Sequence, residues 1–402
     1  MVRVTPSWPP LSPRVVHGGP DGGPPVRWDF STNANPLPHP PALTEALAQA
    51  DRHRYPDPAY AALRRQLGAV WSCAPERVQP TSGSSEAIRR LTLAARLRGI
   101  DEVWLTWPAY GDYAAAAQAL GMAVRHHADA TGLLNALVDE AQVGRGPVLV
   151  WLNEPCNPTG ASLSADVWHC LQGAIAEGAC IVGLDRAYEP LRLLGDDPVP
   201  AATADLCWQL WSPNKALGLT GVRAGVVVAP ETDALDGAAV RLHSALRQAF
   251  GSLAPSWVLS AEGVALLQAW WLPETQSWLA ECRATLLETM QTQRDQLSAL
   301  GWVHRPSVVP FGLSRPACLA PEAMPAALAH LRTQGIQLRD TTSMGLPGWW
   351  RLSTLPAPAQ ADLRAAWLSL PEALCHTPSA GPGSAPGPRP LTSHTVSNEV
   401  QA

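Results

Sequence analysis

Ser212-Pro213-Asn214-Lys215-Ala216-Leu217-Gly218-Leu219-Thr220-Gly221-Val222-Arg223-Ala224-Gly225 follows directly on the apolar run Leu206 to Trp211. Lys215 is the only lysine in 402 residues; the other 28 of the 29 basic residues are arginine. Arginine keeps its proton near neutral pH and cannot act as an amine nucleophile, whereas lysine can. One lysine surviving by chance in an arginine-biased composition is the alternative, and its surroundings decide between the two. An amine at the carboxyl end of a strand, followed by a glycine-rich loop and Arg223, is well placed to hold an aldehyde while its neighbours grip a phosphate.

Outward from this segment the chain alternates. Short apolar runs at Glu102 to Trp107, Val148 to Asn153, Ala179 to Leu184, Leu206 to Trp211 and Ala224 to Ala229 are mostly separated by Ala- and Leu-rich helical stretches such as Glu86 to Arg98 and Ala165 to Glu177. That pattern predicts an α/β fold whose mostly parallel sheet is covered on both faces, with ligands at the carboxyl ends of the strands. Residues 1–40 read as a Pro/Gly-rich arm, 41–240 as the large domain, 241–375 as a smaller α+β domain that begins helical, and 376–402 as a disordered tail too poor in apolar residues to order itself. The 46% apolar content suffices for a sizeable core, and the length argues two lobes.

Composition excludes other classes. The net charge is −5 with no basic tract, so the footprint of a nucleic-acid binder is missing. No apolar run approaches the roughly 18 residues that suggest a membrane span, and the eight cysteines form no C-x-x-C pair. A cytoplasmic enzyme with reduced thiols and no metal is expected.

Four further segments sit at strand ends. Gly183-Leu184-Asp185-Arg186-Ala187-Tyr188 puts a carboxylate where it can either cap a turn or pair with a cationic ring nitrogen. Asn153-Glu154-Pro155-Cys156-Asn157-Pro158-Thr159-Gly160 carries a turn signature. Thr81-Ser82-Gly83-Ser84-Ser85-Glu86 opens a helix, where hydroxyls and free N–H groups make either a plain cap or a phosphate site. Pro108-Ala109-Tyr110-Gly111-Asp112-Tyr113 offers an aromatic that could be packing or a stacking platform.

In this order, around the single lysine, the segments resemble those of the fold-type I pyridoxal-phosphate (PLP) enzymes, the aspartate aminotransferase superfamily. The resemblance implies pyridoxal 5'-phosphate as cofactor, with Lys215 forming the Schiff base. It implies Asp185 on the pyridine nitrogen, Tyr188 and Asn157 on the ring oxygen, Tyr110 stacked on the ring, and Ser84, Ser85, Ser212 and Arg223 on the phosphate. The segment departs from the family at Pro213 and Asn214, where a small or hydroxylated residue usually precedes the lysine; an asparagine amide can still donate.

His17-Gly18-Gly19, then Trp28-Asp29-Phe30-Ser31-Thr32-Asn33-Ala34-Asn35-Pro36-Leu37, then Arg54-Tyr55-Pro56-Asp57-Pro58 resemble the L-threonine-O-3-phosphate decarboxylases of cobalamin biosynthesis, close relatives of the histidinol-phosphate aminotransferases. The first is the preferred reading and the second its alternative; both imply a small phosphorylated substrate. The resemblance also implies a homodimer in which Tyr55 reaches the neighbouring subunit's cofactor phosphate. His17 and Asn35 would face the substrate and Arg351 would clamp its carboxylate. Arg339 is a weaker candidate, equally readable as a solvated arginine, and Pro310 stands where relatives often carry a polar residue. A PLP-binding regulator would need a fused DNA-binding domain, for which residues 1–28 are too short and Pro-rich.

Overall fold

The computed structural model describes residues 15–142, 146–233, 235, 237–371 and 374; the first fourteen residues of the arm, Cys375 and the expected tail lie outside them. The chain runs β1 (Trp28–Asp29), α1 (Pro41–Ala48), α2 (Ala61–Val70), β2 (Val78–Thr81), α3 (Ser84–Leu97), β3 (Glu102–Thr106), α4 (Gly111–Ala119), β4 (Ala123–His127) and α5 (Ala130–Gln142). It continues with β5 (Val148–Asn153), α6 (Ala165–Ala176), β6 (Cys180–Asp185), α7 (Ala201–Asp205), β7 (Trp208–Trp211), β8 (Gly225–Val228), α8 (Gly237–Ser252), α9 (Ala261–Trp270) and α10 (Pro273–Ser298). The C-terminal part holds β9 (Trp302–His304), β10 (Phe311–Pro316), α11 (Met324–Thr333), β11 (Ile336–Gln337), β12 (Arg339–Asp340), β13 (Trp350–Ser353) and α12 (Ala357–Leu368).

Seven strands form one sheet in the order β2-β8-β7-β6-β5-β3-β4, with β8 antiparallel to both neighbours and the remaining pairs parallel. The central strands are near-continuous apolar runs because both of their faces are covered. Leu105, Leu149, Trp151, Ile181 and Leu210 pack on one side against α3, α4 and α8, while Trp104, Val150, Val182 and Leu184 pack on the other against α5 and α6. The five anticipated strands are all present. The two that the sequence reading missed, β2 and β4, are the edge strands: β2 contains Pro80, and β4 is the half-buried Ala-Val-Arg-His-His. Proline and polar side chains are tolerated at edges because one side of the ladder is unpaired.

A four-stranded antiparallel sheet, β12-β13-β10-β9, packs with α11 and α12 around Trp302, Trp350, Leu363 and Trp367. The arm belongs to this second core: Phe30 is fully buried in it, and β1 pairs in parallel with β11. A division near residue 240 was expected, but Leu246, Phe250, Leu266 and Trp270 of α8 and α9 pack in the clusters of the seven-stranded sheet. On packing we propose a division within α10, whose Leu297 joins the second core. Among the described residues no helix is long and apolar enough to cross a membrane.

Candidate active site

The carboxyl ends of β5, β6 and β7 open on a cavity of about 260 Å³, and the loop after β7 carries Lys215 into it. The loop is held by its own backbone: the Leu217 N–H donates to the Pro213 carbonyl at 2.8 Å and the Leu219 N–H to that of Asn214 at 2.9 Å. Both amide protons of Asn214 go to loop carbonyls, those of Leu219 and Val222, while its oxygen accepts from the Ser212 hydroxyl. Asn214 thus shapes the loop, and the expected spare donor for a phosphate is already engaged. Asn35 also differs from expectation. It does not line the cavity; its N–H donates to the Lys215 carbonyl at 2.8 Å and its side-chain amide to that of Ala216 at 3.0 Å. Asn33, two residues earlier, faces the cavity instead, with its amide 3.5 Å from the Tyr188 hydroxyl and its buried oxygen without a partner.

Burial, reinforced by the neighbouring charges of Arg351 and Arg223, pulls the Lys215 amine down to about 8. A basic group so placed is partly neutral at physiological pH, which a nucleophilic amine requires. Asp185, the last residue of β6, lies in register with Asn153 of β5. Its carboxylate accepts from the Ala187 N–H at 3.0 Å and the Tyr113 hydroxyl at 2.9 Å, yet burial keeps its pKa raised to about 6. A cationic partner facing it would stabilise the ionised form. Tyr113, a residue given no role from the sequence, stacks on Trp151 with ring centroids 5.1 Å apart.

At the other end of the cavity Ser84 and Ser85 begin α3 beside Ser212, Thr220 and Arg223. The buried Ser84 hydroxyl has no partner. Gly83 sits at φ 87°, and a Cβ there would come within 2.3 Å of the Arg223 guanidinium, so only glycine leaves this cradle open. Free N–H groups at a helix start, hydroxyls and an arginine around an unfilled space fit a phosphate.

Tyr110 and His17 line the same cavity, with ring centroids 5.7 Å apart, and Tyr188 packs edge-on against Phe311. Arg351 of β13 is 4% exposed; it donates to the Asn157 amide oxygen at 2.5 Å and the Ser31 carbonyl at 2.6 Å, and its Nε has no partner. Among the described residues no carboxylate pairs with it, which leaves a buried cation suited to an anionic ligand. Arg339, opposite Arg351 across β12 and β13, is neither at the cavity nor solvated: it is buried and donates to the Val16 carbonyl and the Ser343 hydroxyl, fastening the arm. Pro310 is buried too, its carbonyl accepting the Thr354 N–H. Tyr55 is 77% exposed and stacks on Trp257 away from the cavity.

The donor set fits PLP: an orphaned serine hydroxyl and a glycine-kept cradle for the phosphate, a buried carboxylate for the ring nitrogen, and one amine on the same cavity. The comparisons agree. The family model "Aminotransferase class I and II" matches residues 27–369. Histidinol-phosphate aminotransferase 2 of Caulobacter vibrioides is 30% identical over 358 residues, 86% of each chain. The fold is similar to a Thermus thermophilus aspartate aminotransferase mutant (TM-score 0.69, 22% identity, 84% of this chain and 94% of that one). It is also similar to the histidinol-phosphate aminotransferase of Sinorhizobium meliloti in complex with pyridoxal-5'-phosphate (TM-score 0.68, 21% identity, 83% and 88%). With its lysine, carboxylate and phosphate cradle on one cavity of a fold-type I architecture, the chain belongs to the PLP-dependent class I and II aminotransferase family.

Proposed function

We propose that the protein is an aminotransferase of the histidinol-phosphate type, acting on a small phosphorylated amine as a cytoplasmic homodimer in which Tyr55 completes the neighbour's site. The observation that carries the reading is one cavity lined by Lys215, Asp185 and Arg351, a buried guanidinium with no carboxylate partner among the described residues. Relatives named histidinol-phosphate aminotransferase, 28–33% identical, support this substrate class over the decarboxylase favoured by the arm motifs alone.

PLP, when bound, supplies an electron sink for the pair left at the substrate Cα. The residues of the chain do the rest. Lys215, its pKa near 8, would take the Cα proton as general base and, once protonated, deliver it as general acid to the carbon on the other side of the C–N bond. Asp185 holds the proton on the ring nitrogen, and Ser84, Ser85, Ser212 and Arg223 hold the phosphate. Arg351 receives the carboxylate of the amino-acid or oxo-acid partner bidentately. Tyr188 and Asn157 border the ring oxygen, and Asn33 joins them by its amide.

Decarboxylation of L-threonine O-3-phosphate to (R)-1-amino-2-propanol O-phosphate is the second reading. It is favoured by one observation: His17, Gly18, Ser31, Thr32 and Asn33, the segments that resemble the decarboxylases, all line the cavity. The experiment supplies PLP with either histidinol phosphate and 2-oxoglutarate, or L-threonine O-3-phosphate alone. Glutamate formation supports the aminotransferase; carbon dioxide release without an oxo acid overturns it for the decarboxylase.

A further inference from the structure

Asp112, the second residue of α4, has its carboxylate almost fully buried, at 5% exposure. It does not line the cavity, yet three residues that do are bonded to it. One oxygen accepts from the Ser85 hydroxyl at 2.7 Å and the Tyr110 hydroxyl at 3.0 Å, and the other lies 3.3 Å from His17 Nε2. The donors come from three separate segments: the first turn of α3, the residue before α4, and the arm. Burial pushes the Asp112 carboxyl up, but bonds from His17, Ser85 and Tyr110 outweigh it and hold it below the usual range, so it stays ionised at neutral pH. A negative charge this close to an anion-binding cradle opposes ligand binding. Its presence is explained by geometry, because a single carboxylate can accept from all three donors at once.

We propose that Asp112 is a positioning residue that locks the phosphate cradle, the ring platform and the substrate-facing arm into one unit by orienting Ser85, Tyr110 and His17. This rests on the assignment of the cavity to PLP and a phosphorylated amine. An asparagine can keep the Ser85 and Tyr110 bonds on its one oxygen, whereas alanine offers no acceptor, so Asp112→Ala releases all three donors.

The test uses the full chain loaded with PLP. Cofactor affinity and the visible circular dichroism of the bound cofactor report on Ser85 and Tyr110, and KM for the phosphorylated substrate reports on His17. Asp112→Ala is expected to weaken PLP affinity about tenfold or more, as loss of a hydrogen bond to a charged group does, and to shrink the dichroic band. His17→Gln is expected to leave both within twofold while raising KM. The double variant is expected to raise KM no further than the larger single effect. Asp112→Glu, which keeps charge and acceptors, is expected to restore part of each effect, and it serves as the probe if the alanine variant does not fold. Unchanged affinity and dichroism, or strictly additive KM effects of residues 17 and 112, would overturn the proposal. If the wild type turns over no phosphorylated amine, the functional reading fails alone, because affinity and dichroism need no turnover.

Discussion

Because Lys215 is the only lysine, its titration can be read directly by amine labelling. With a pKa near 8, about 1 in 11 of its amines is neutral at pH 7, against about 1 in 3,000 for an ordinary lysine, a ratio of about 300. The apoprotein is treated with trinitrobenzenesulfonate over pH 6 to 11, and modification of the peptide carrying Lys215 is followed by mass spectrometry. The rate is expected to rise tenfold per pH unit up to about 8 and then level. Since half-burial slows reagent access equally at every pH, the midpoint and not the absolute rate is the measured quantity. The cause of the shift is testable as well. Burial is its largest part and Arg351 the next, whereas Asp29 acts the other way, so Arg351→Gln should move the midpoint up and Asp29→Asn should move it down. A rate that climbs without a break through pH 10 would refute the argument that the site depresses this amine.

Asp185 titrates near 6 in the folded apoprotein and near 3.8 unfolded, so the folded state binds the extra proton between these values and stability falls as pH rises through that window. Thermal melts of Asp185→Asn apoprotein should lack this slope, and its PLP-loaded activity should drop by about a hundredfold or more in steady-state assays. Arg351→Gln should raise KM for the carboxylate-bearing partner by about 30-fold or more, the scale of a charge-assisted bidentate contact, in initial-rate measurements. Gly83→Ala should weaken PLP binding by about tenfold or more in a fluorescence titration, since its Cβ displaces Arg223 and the backbone there is left-handed.

The parts of this molecule legible in its sequence are those whose signal is local. Strands β3, β5, β6, β7 and β8 announce themselves as apolar runs because they are covered on both faces, while β2 and β4 lie at the edges, where Pro80 and the His126-His127 pair break the pattern. Lys215, Asp185, Ser84, Ser85, Tyr110 and Asn157 each follow a strand end or open a helix, so their place beside the cavity is a local signal, whereas the roles proposed for them come from the resemblance of the segments to a family. The choice between Asn33 and Asn35 could not be made that way. Both lie in one irregular stretch, and which faces the cavity depends on the turn that docks Asn35 on the lysine loop, where Gly218 at φ 63° lets the Asn35 carbonyl approach. Asp112 looks like an ordinary acid in the first turn of a helix, and its three donors are 2, 27 and 95 positions away in sequence. Arg339 sits on a two-residue strand too short to show a period, so its burial was invisible.

The stretch from Phe30 to Asn35 has a mechanical consequence. Phe30 is anchored in the core of the four-stranded sheet, the Ser31 carbonyl is gripped by Arg351, and Asn35 is bonded to the carbonyl of Lys215 on the seven-stranded sheet. Only three residues separate Ser31 from Asn35, four residue-to-residue steps that span at most about 14 Å when fully drawn out. It acts as a strap of limited reach between the Arg351 guanidinium and the backbone of the Lys215 loop. While these bonds hold, the strand that carries Arg351 and the loop that carries Lys215 can part no further than that reach.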